Sequence, residues 1–275
     1  MFRGVFLNLE RNTQRRDTLL QHLAAIGAAN RYERWEAVDG RAAKESHATT
    51  LDAGNLGLWL SHENLLEART TPDHHLHILE DDAILARNLV PVLDDLLGLL
   101  DQSVPSWDML FTDVMLTPST DLFRNILPQM KEFSRSRRYV VWELGPIDFA
   151  GTTSFVLKKS SIEKYLDLIS GKWALGIPID LFIRNLVREQ KLNACITVPF
   201  ITSISYDSKS SDIRGQLDRS RMVLDTLRRA LFEEADISAL HTEMSQYIVG
   251  ANHSPLLDLY LMAEMFYLSG KAEGI

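Results

Sequence analysis

Three carboxylates stand side by side in Glu80-Asp81-Asp82, between the apolar pairs Ile78-Leu79 and Ala83-Ile84. Like charges held this close repel, and taking each out of water costs several kcal/mol unless something pairs with it. A divalent cation relieves both penalties. Hard oxygen ligands suit Mn2+ or Mg2+, which also grips a pyrophosphate. The ordinary structural alternative is a solvated turn that caps the next segment. In an extended strand end, alternation sends Glu80 and Asp82 to one side and Asp81 to the other. Asp82 is therefore assigned to the metal. Glu80 completes the metal shell or, like Asp81, binds the ribose of a nucleotide.

The surrounding segments say what positions that triplet. Residues 5–9 form a short apolar run followed by polar residues, which predicts a buried strand. Asn12 or Thr13 can cap a following helix whose apolar face is Leu19, Leu20, Leu23 and Ile26, with Gly27 ending it. Residues 31–38 return to the sheet, and Asp39-Gly40 turns the chain. This strand-helix-strand opening is the unit of a parallel sheet. Residues 54–57 (Gly-Asn-Leu-Gly) predict a turn into a helix over 58–69. Residues 75–79 are a strand that delivers the triplet at its C-terminal end, where ligands bind in open α/β sheets.

Further strands are predicted at 107–112 (ending in Asp113), 139–144, 154–157 and 194–198, and further helices at 89–100, 160–169 and 179–190. Residues 117–138 carry Pro118, Pro128 and the basic run Arg135, Arg137, Arg138, and read as a mobile or inserted loop. Residues 203–215 are polar and turn-rich. From Gln216 onward the chain reads helical, with a break at 252–255. The expectation is an α/β fold with a mixed, mostly parallel sheet flanked by helices. Residues 1–215 form the main domain and 216–275 a helical C-terminal segment packed on it.

Composition narrows the functional classes. The chain has 275 residues, 45% of them hydrophobic, and a formal net charge of -8, the profile of an ordinary soluble globular protein. That charge argues against a nucleic-acid binder that tracks phosphates. It also disfavours broad docking on anionic lipid, although a local basic patch leaves peripheral membrane contact open. The single cysteine, Cys195, permits no intramolecular disulfide and fits a reducing compartment. The opening apolar run reads as a strand, not as a signal peptide. No apolar run is long enough to span a bilayer. The most apolar late stretch, 256–268, is interrupted by Asp258 and Glu264 and reads as a packed or interfacial helix. The expected location is the cytoplasm, including the cytoplasmic face of the inner membrane.

Motifs in order along the chain carry a resemblance. Phe6-Leu7-Asn8-Leu9-Glu10-Arg11, Ala37-Val38-Asp39-Gly40, the segment from Gly54 through Gly57 to Ser61-His62, Ile78-Leu79-Glu80-Asp81-Asp82, Gly151-Thr152-Thr153-Ser154-Phe155-Val156-Leu157 and Ile177-Pro178-Ile179-Asp180 resemble the corresponding motifs of the family-25 glycosyltransferases. That family includes lipooligosaccharide galactosyltransferases and collagen β-galactosyltransferases. Leu58 and Phe155 stand where the family usually has cysteine and tyrosine. The resemblance spans residues 4–212. It implies a GT-A-type fold, a UDP-sugar donor (galactose the suggested sugar), a DxD-like site for Mn2+ or Mg2+, a glycan acceptor such as lipopolysaccharide or lipooligosaccharide, and inversion at the anomeric carbon.

Other residues follow from this frame, each with an ordinary alternative. Asn8, Glu10, Arg11 and Arg16 lie after the first strand, where a nucleotide would sit. Arg16 can neutralise a diphosphate, pair with Asp39, or simply be a helix-surface arginine beside an acid. Gly57 and Ser61-His62 open a helix whose N-terminus would face the donor phosphates. His62 is alternatively a satisfied core histidine that orients the acidic triplet. Asp180 is either an N-cap or the general base that takes the acceptor proton, with Asp148 the second candidate. Zinc binding at His75 and His77 lacks further ligands. Cys195 and Trp59 read as core. Residues 205–212 form either a solvated loop or a lid. Acidic strand ends holding Mg2+ also occur in nucleotidyl and phosphoryl transferases, but no glycine-rich, lysine-bearing phosphate loop is present. A non-catalytic glycosyltransferase-like binding domain is the remaining alternative.

Overall fold

The computed structural model describes residues 1–69, 73–104, 106–116, 120–205, 219–236, 238–240 and 242. Within them the chain runs through β1 (Phe2–Asn8), α1 (Thr13–Ala25), β2 (Tyr32–Glu36), α2 (Gly40–Ala43), α3 (Ala53–Glu67), β3 (His75–Glu80), β4 (Ala83–Leu85), α4 (Leu89–Ser103), β5 (Met109–Phe111), β6 (Met115–Leu116), α5 (Thr120–Ser136), β7 (Val140–Glu143), β8 (Phe149–Ala150), β9 (Ser154–Leu157), α6 (Ile162–Ile169), α7 (Ile179–Arg188), β10 (Ala194–Val198), β11 (Thr202–Ile204) and α8 (Arg219–Ala230). The central sheet has seven strands in the order β2-β1-β3-β9-β5-β10-β7. Strands β2, β1, β3, β5 and β10 share one direction, and β9 and β7 oppose them. The sheet is thus mixed and mostly parallel, as its apolar strands predict.

Side-chain alternation makes the layers. Val5 and Leu7 of β1, Leu76 and Ile78 of β3, Phe155 and Leu157 of β9, and Ile196 and Val198 of β10 face α3, α6 and α7. Phe6, Leu79, Val156 and Cys195 face the opposite side, onto Leu19 and Leu23 of α1 and Leu93, Leu96 and Leu97 of α4. Strands apolar on both faces belong in the middle of a covered sheet. Each fully buried Leu, Ile or Phe contributes roughly 1.5–3 kcal/mol, so both faces hold the sheet in register.

Two segments differ from the sequence reading. Helix α3 starts at Ala53, because the Asp52 side chain accepts from the Asn55 amide at 2.8 Å and caps it. Gly54 and Gly57 therefore lie inside the helix and not in a turn. Residues 120–136, read as loop, are helical with Pro128 inside. Ile126 and Phe133, seven residues apart on one face, are buried, and that burial overrides the local proline signal.

Helix α8, beyond residue 215, packs against β6 and β11. Leu227 and Leu231 belong to the same core cluster as the buried residues of α3 and α7, and the Phe200 amide donates to the Leu231 carbonyl at 2.8 Å. The expected boundary at 215, the polar stretch beyond Ser205, the break at 252–255 and the apolar stretch 256–268 lie outside the described residues. Among the described residues no helix is long and apolar enough to cross a membrane.

Candidate functional site

The parallel register of β1 on β3 sets Leu7 opposite Glu80, so the residue after Leu7 reaches the acidic triplet. Asn8 is buried and acts as a clamp. Its Nδ2 donates to Asp81 Oδ2 at 2.7 Å and to the Asn12 carbonyl at 3.0 Å, while its Oδ1 accepts from Arg34 Nε at 3.0 Å. Arg15 of α1 donates to the other Asp81 oxygen at 3.1 Å. Burial raises the Asp81 carboxyl above its usual range; Asn8 and Arg15 oppose that rise.

Glu80 and Asp82 have different partners. Glu80 Oε1 accepts from Thr152 Oγ1 at 3.0 Å. Burial, and then the nearby Asp82 charge, push Glu80 up to about 8. Asp82 is 9% exposed, and its Oδ1 is buried with no hydrogen-bond partner. An anionic oxygen left like this is costly to hold. Glu80 and Asp82 would suit a dication, which would offset both observations, so the pair fits Mn2+ or Mg2+. Among the described residues no group of three or more His, Cys, Asp or Glu is arranged to hold a metal. A two-carboxylate site is nevertheless the usual protein share of a Mg2+ site completed by water and substrate phosphate.

The carboxylates form one end of a pocket that Arg11, Asn12 and Arg15 also line. Residues 37–41 and the start of α3 also line it. A Cβ on Gly57 would come 2.6 Å from the Val38 carbonyl oxygen and 2.9 Å from the Gly40 amide nitrogen, and one on Gly40 would come 1.7 Å from the Ala53 carbonyl oxygen. Only glycine permits this approach. Ser61 Oγ fastens it, donating to the Gly57 carbonyl at 2.6 Å and accepting from the Val38 amide at 2.8 Å. Asp39 caps α2 through the Arg41 amide at 3.0 Å and pairs with Arg11. The Ala37–Gly40 and Gly54–Ser61 motifs are thus one packed unit forming a pocket wall.

Arg11, Asp39, Gly57, Ser61, Glu80, Asp81 and Asp82 are brought to this pocket. Glu10 is not; it pairs with Arg34 at 2.9 Å. Arg16 turns outward to Asp17 at 3.5 Å and reaches neither Asp39 nor the pocket. His62 lies in the core, stacked on Phe155 with ring centroids 5.7 Å apart, and neither ring nitrogen has a partner. It therefore neither orients the triplet nor is satisfied, and burial lowers it to about 4. Both nitrogens of His77 are taken, by the Tyr32 hydroxyl and Ser154 Oγ, and His75 pairs with Asp101, so the pair makes no zinc site.

Asp180 is inside the first turn of α7, not at its cap, which is Pro178. Its oxygens accept from the Gly151 amide at 2.9 Å and the Leu181 amide at 2.8 Å. Gly151 precedes Thr152, the residue that holds Glu80. A two-residue segment thereby connects Asp180 with Glu80. Asp148 is exposed and paired with Arg188.

Residues given no individual role in the sequence reading complete the picture. Arg15 replaces Arg16, and Thr152 anchors Glu80. Asp113, fully buried, pairs with Arg228 of α8. Arg15 had a legible signal, since it shares the i, i+4 row of the buried Leu19 and Leu23. Nothing local in the sequence connects residue 228 with residue 113. No protein-family model matches the chain, and no curated protein was found to match it.

Proposed function

We propose that this chain is an inverting glycosyltransferase of the GT-A type that transfers a sugar, galactose by the resemblance, from a UDP-sugar to a glycan acceptor such as lipopolysaccharide, lipooligosaccharide or another surface glycan. The observation that carries the reading is the buried, partnerless Asp82 Oδ1 beside Glu80 at the end of a strand whose mouth is lined by Arg11 and Arg15. Arginines that line the same pocket as a buried, partnerless carboxylate oxygen suit a nucleoside diphosphate with its metal.

Glu80 and Asp82 would hold the Mn2+ or Mg2+, which when bound offsets the charge of the diphosphate leaving group. Asn8 and Arg15 fix Asp81, and Arg11 and Arg15 supply cations to the pocket's phosphate end. Asp180 would accept the acceptor hydroxyl proton at a carboxylate oxygen. A carboxylate offers about four lone-pair sites, so its two amide contacts leave room. The freed oxygen attacks the anomeric carbon as the bond to the diphosphate breaks on the opposite face. Asp148 is already engaged by Arg188 at the surface, which favours Asp180 as base. Cys195 is buried and its thiol is pushed up to about 11 by burial, consistent with an inert core residue in a cytoplasmic enzyme.

A thermal-shift panel of nucleotide sugars with and without Mn2+ tests the reading, because a ligand that binds only the folded chain raises its melting temperature. One UDP-sugar should stabilise the chain, in a Mn2+-dependent way that Asp82→Asn abolishes. Equal stabilisation by free nucleoside triphosphates would point to nucleotidyl or phosphoryl transfer instead.

A further inference from the structure

Arg228 lies outside the span of the motifs, yet α8 carries it to the acidic strand ends. Its side chain is 3% exposed and pairs with Asp113, which is 0% exposed. Asp113 Oδ1 also accepts from Thr202 Oγ1 of β11 at 3.1 Å. Strand β11 pairs with β4, which begins one residue after Asp82, and the Ser205 amide donates to the Asp82 carbonyl at 2.9 Å. On its other flank the guanidinium lies against Gly151, where a Cβ would meet Nη1 at 3.7 Å and Nη2 at 3.9 Å. The next residue, Thr152, holds Glu80. One buried cation is therefore packed between a third carboxylate, Asp113, and the Gly151-Thr152 segment whose threonine holds Glu80.

We infer that Arg228 is a positioning residue of the acidic site: it withdraws Asp113 from metal binding and opposes a dication at Glu80 and Asp82, keeping the site at two carboxylates and its cation exchangeable. The inference rests on the metal-dependent reading above. A fixed positive charge near two carboxylates weakens their hold on a second cation by Coulomb repulsion. A site with a third free carboxylate would bind the dication through protein ligands and leave fewer positions for water and diphosphate.

The two members of the pair therefore have opposite effects on metal affinity. Asp113→Asn leaves Arg228 without its acid and should weaken Mn2+ binding by about threefold or more, and Arg228→Met should tighten it by about threefold or more. Arg228→Lys, which keeps the charge, should stay within about twofold of the native chain. Titration of the full chain with Mn2+ by calorimetry, or by electron paramagnetic resonance of free Mn2+, reads these shifts without any activity assay. A merely structural ion pair predicts that both single changes move affinity the same way or not at all, and either result overturns the inference. If Arg228→Met does not fold, the other two variants decide it: an unchanged Asp113→Asn, or an Arg228→Lys that departs from the native affinity, overturns it. A native chain that binds no Mn2+ refutes the metal-dependent function and this inference together, whereas native binding with same-direction shifts refutes the inference alone.

Discussion

Arg15 and Arg16 are consecutive on α1 and have different partners. Arg15 donates to Asp81 at 3.1 Å, and Arg16 pairs with Asp17 at 3.5 Å. Charge-assisted hydrogen bonds contribute roughly 1.5–3 kcal/mol, and about 1.4 kcal/mol is tenfold in affinity. Arg15→Ala should therefore weaken UDP-sugar binding about tenfold or more, and Arg16→Ala should leave it within about twofold, both measured by calorimetry. Equal losses from the two would remove Arg15 from the site. The helical row of Leu19 and Leu23 makes Arg15 a candidate in the sequence, but Arg16 shares a row with Leu20, which the sequence also puts on the apolar face; only its 42% exposure in the structure separates the two. His62 is not legible in the same way. A histidine one residue after a serine in a motif suggests chemistry, and only packing reveals a partnerless ring on Phe155.

The unit made of residues 37–41 and the start of α3 depends on backbone contact. Gly57→Ala should destabilise the chain by about 1–3 kcal/mol through overpacking, read as a lower urea midpoint with unchanged slope. Gly98→Ala is the opposite control: it sits in α4 with nothing within 4 Å of its Cβ position, and should stabilise by about 0.5–1 kcal/mol. If Gly57→Ala were as benign as Gly98→Ala, the close approach would be wrong. At this scale the strands are the most legible feature, because short apolar runs with turn residues at their ends have one reading in a covered sheet. Helix starts are less so. Two glycines outweigh the Asp52 cap in the sequence pattern of residues 54–57, and Pro128 outweighs the spacing of Ile126 and Phe133.

Across the molecule, three buried titratable groups give opposing pH effects. His62 and His77 are lowered from 6.5 to about 4 and about 3 by burial. Their neutral forms contribute stability that is fully present above about 6.5 and is lost as pH falls through the folded values. Glu80 is raised from 4.5 to about 8, so its contribution is fully present below 4.5 and is lost as pH rises through about 8. The melting temperature should therefore fall on acidification below pH 6.5, and His62→Phe should shallow that fall without lowering stability at neutral pH, since no hydrogen bond is lost. A steeper acid transition in His62→Phe would contradict this. The overall α/β layering is legible because its strands are apolar on both faces. The Asp113–Arg228 pair is not, because partners 115 residues apart leave no local pattern.

The proposed function requires Glu80 and Asp82 to hold a dication that also meets a nucleoside diphosphate. Phosphorus-31 electron–nuclear double resonance on the Mn2+-loaded chain with UDP tests it directly. A phosphorus coupling from diphosphate bound to Mn2+ is expected in the native chain and should be lost in Asp82→Asn. No phosphorus coupling in the native chain, or the same coupling retained after Asp82→Asn, would contradict it.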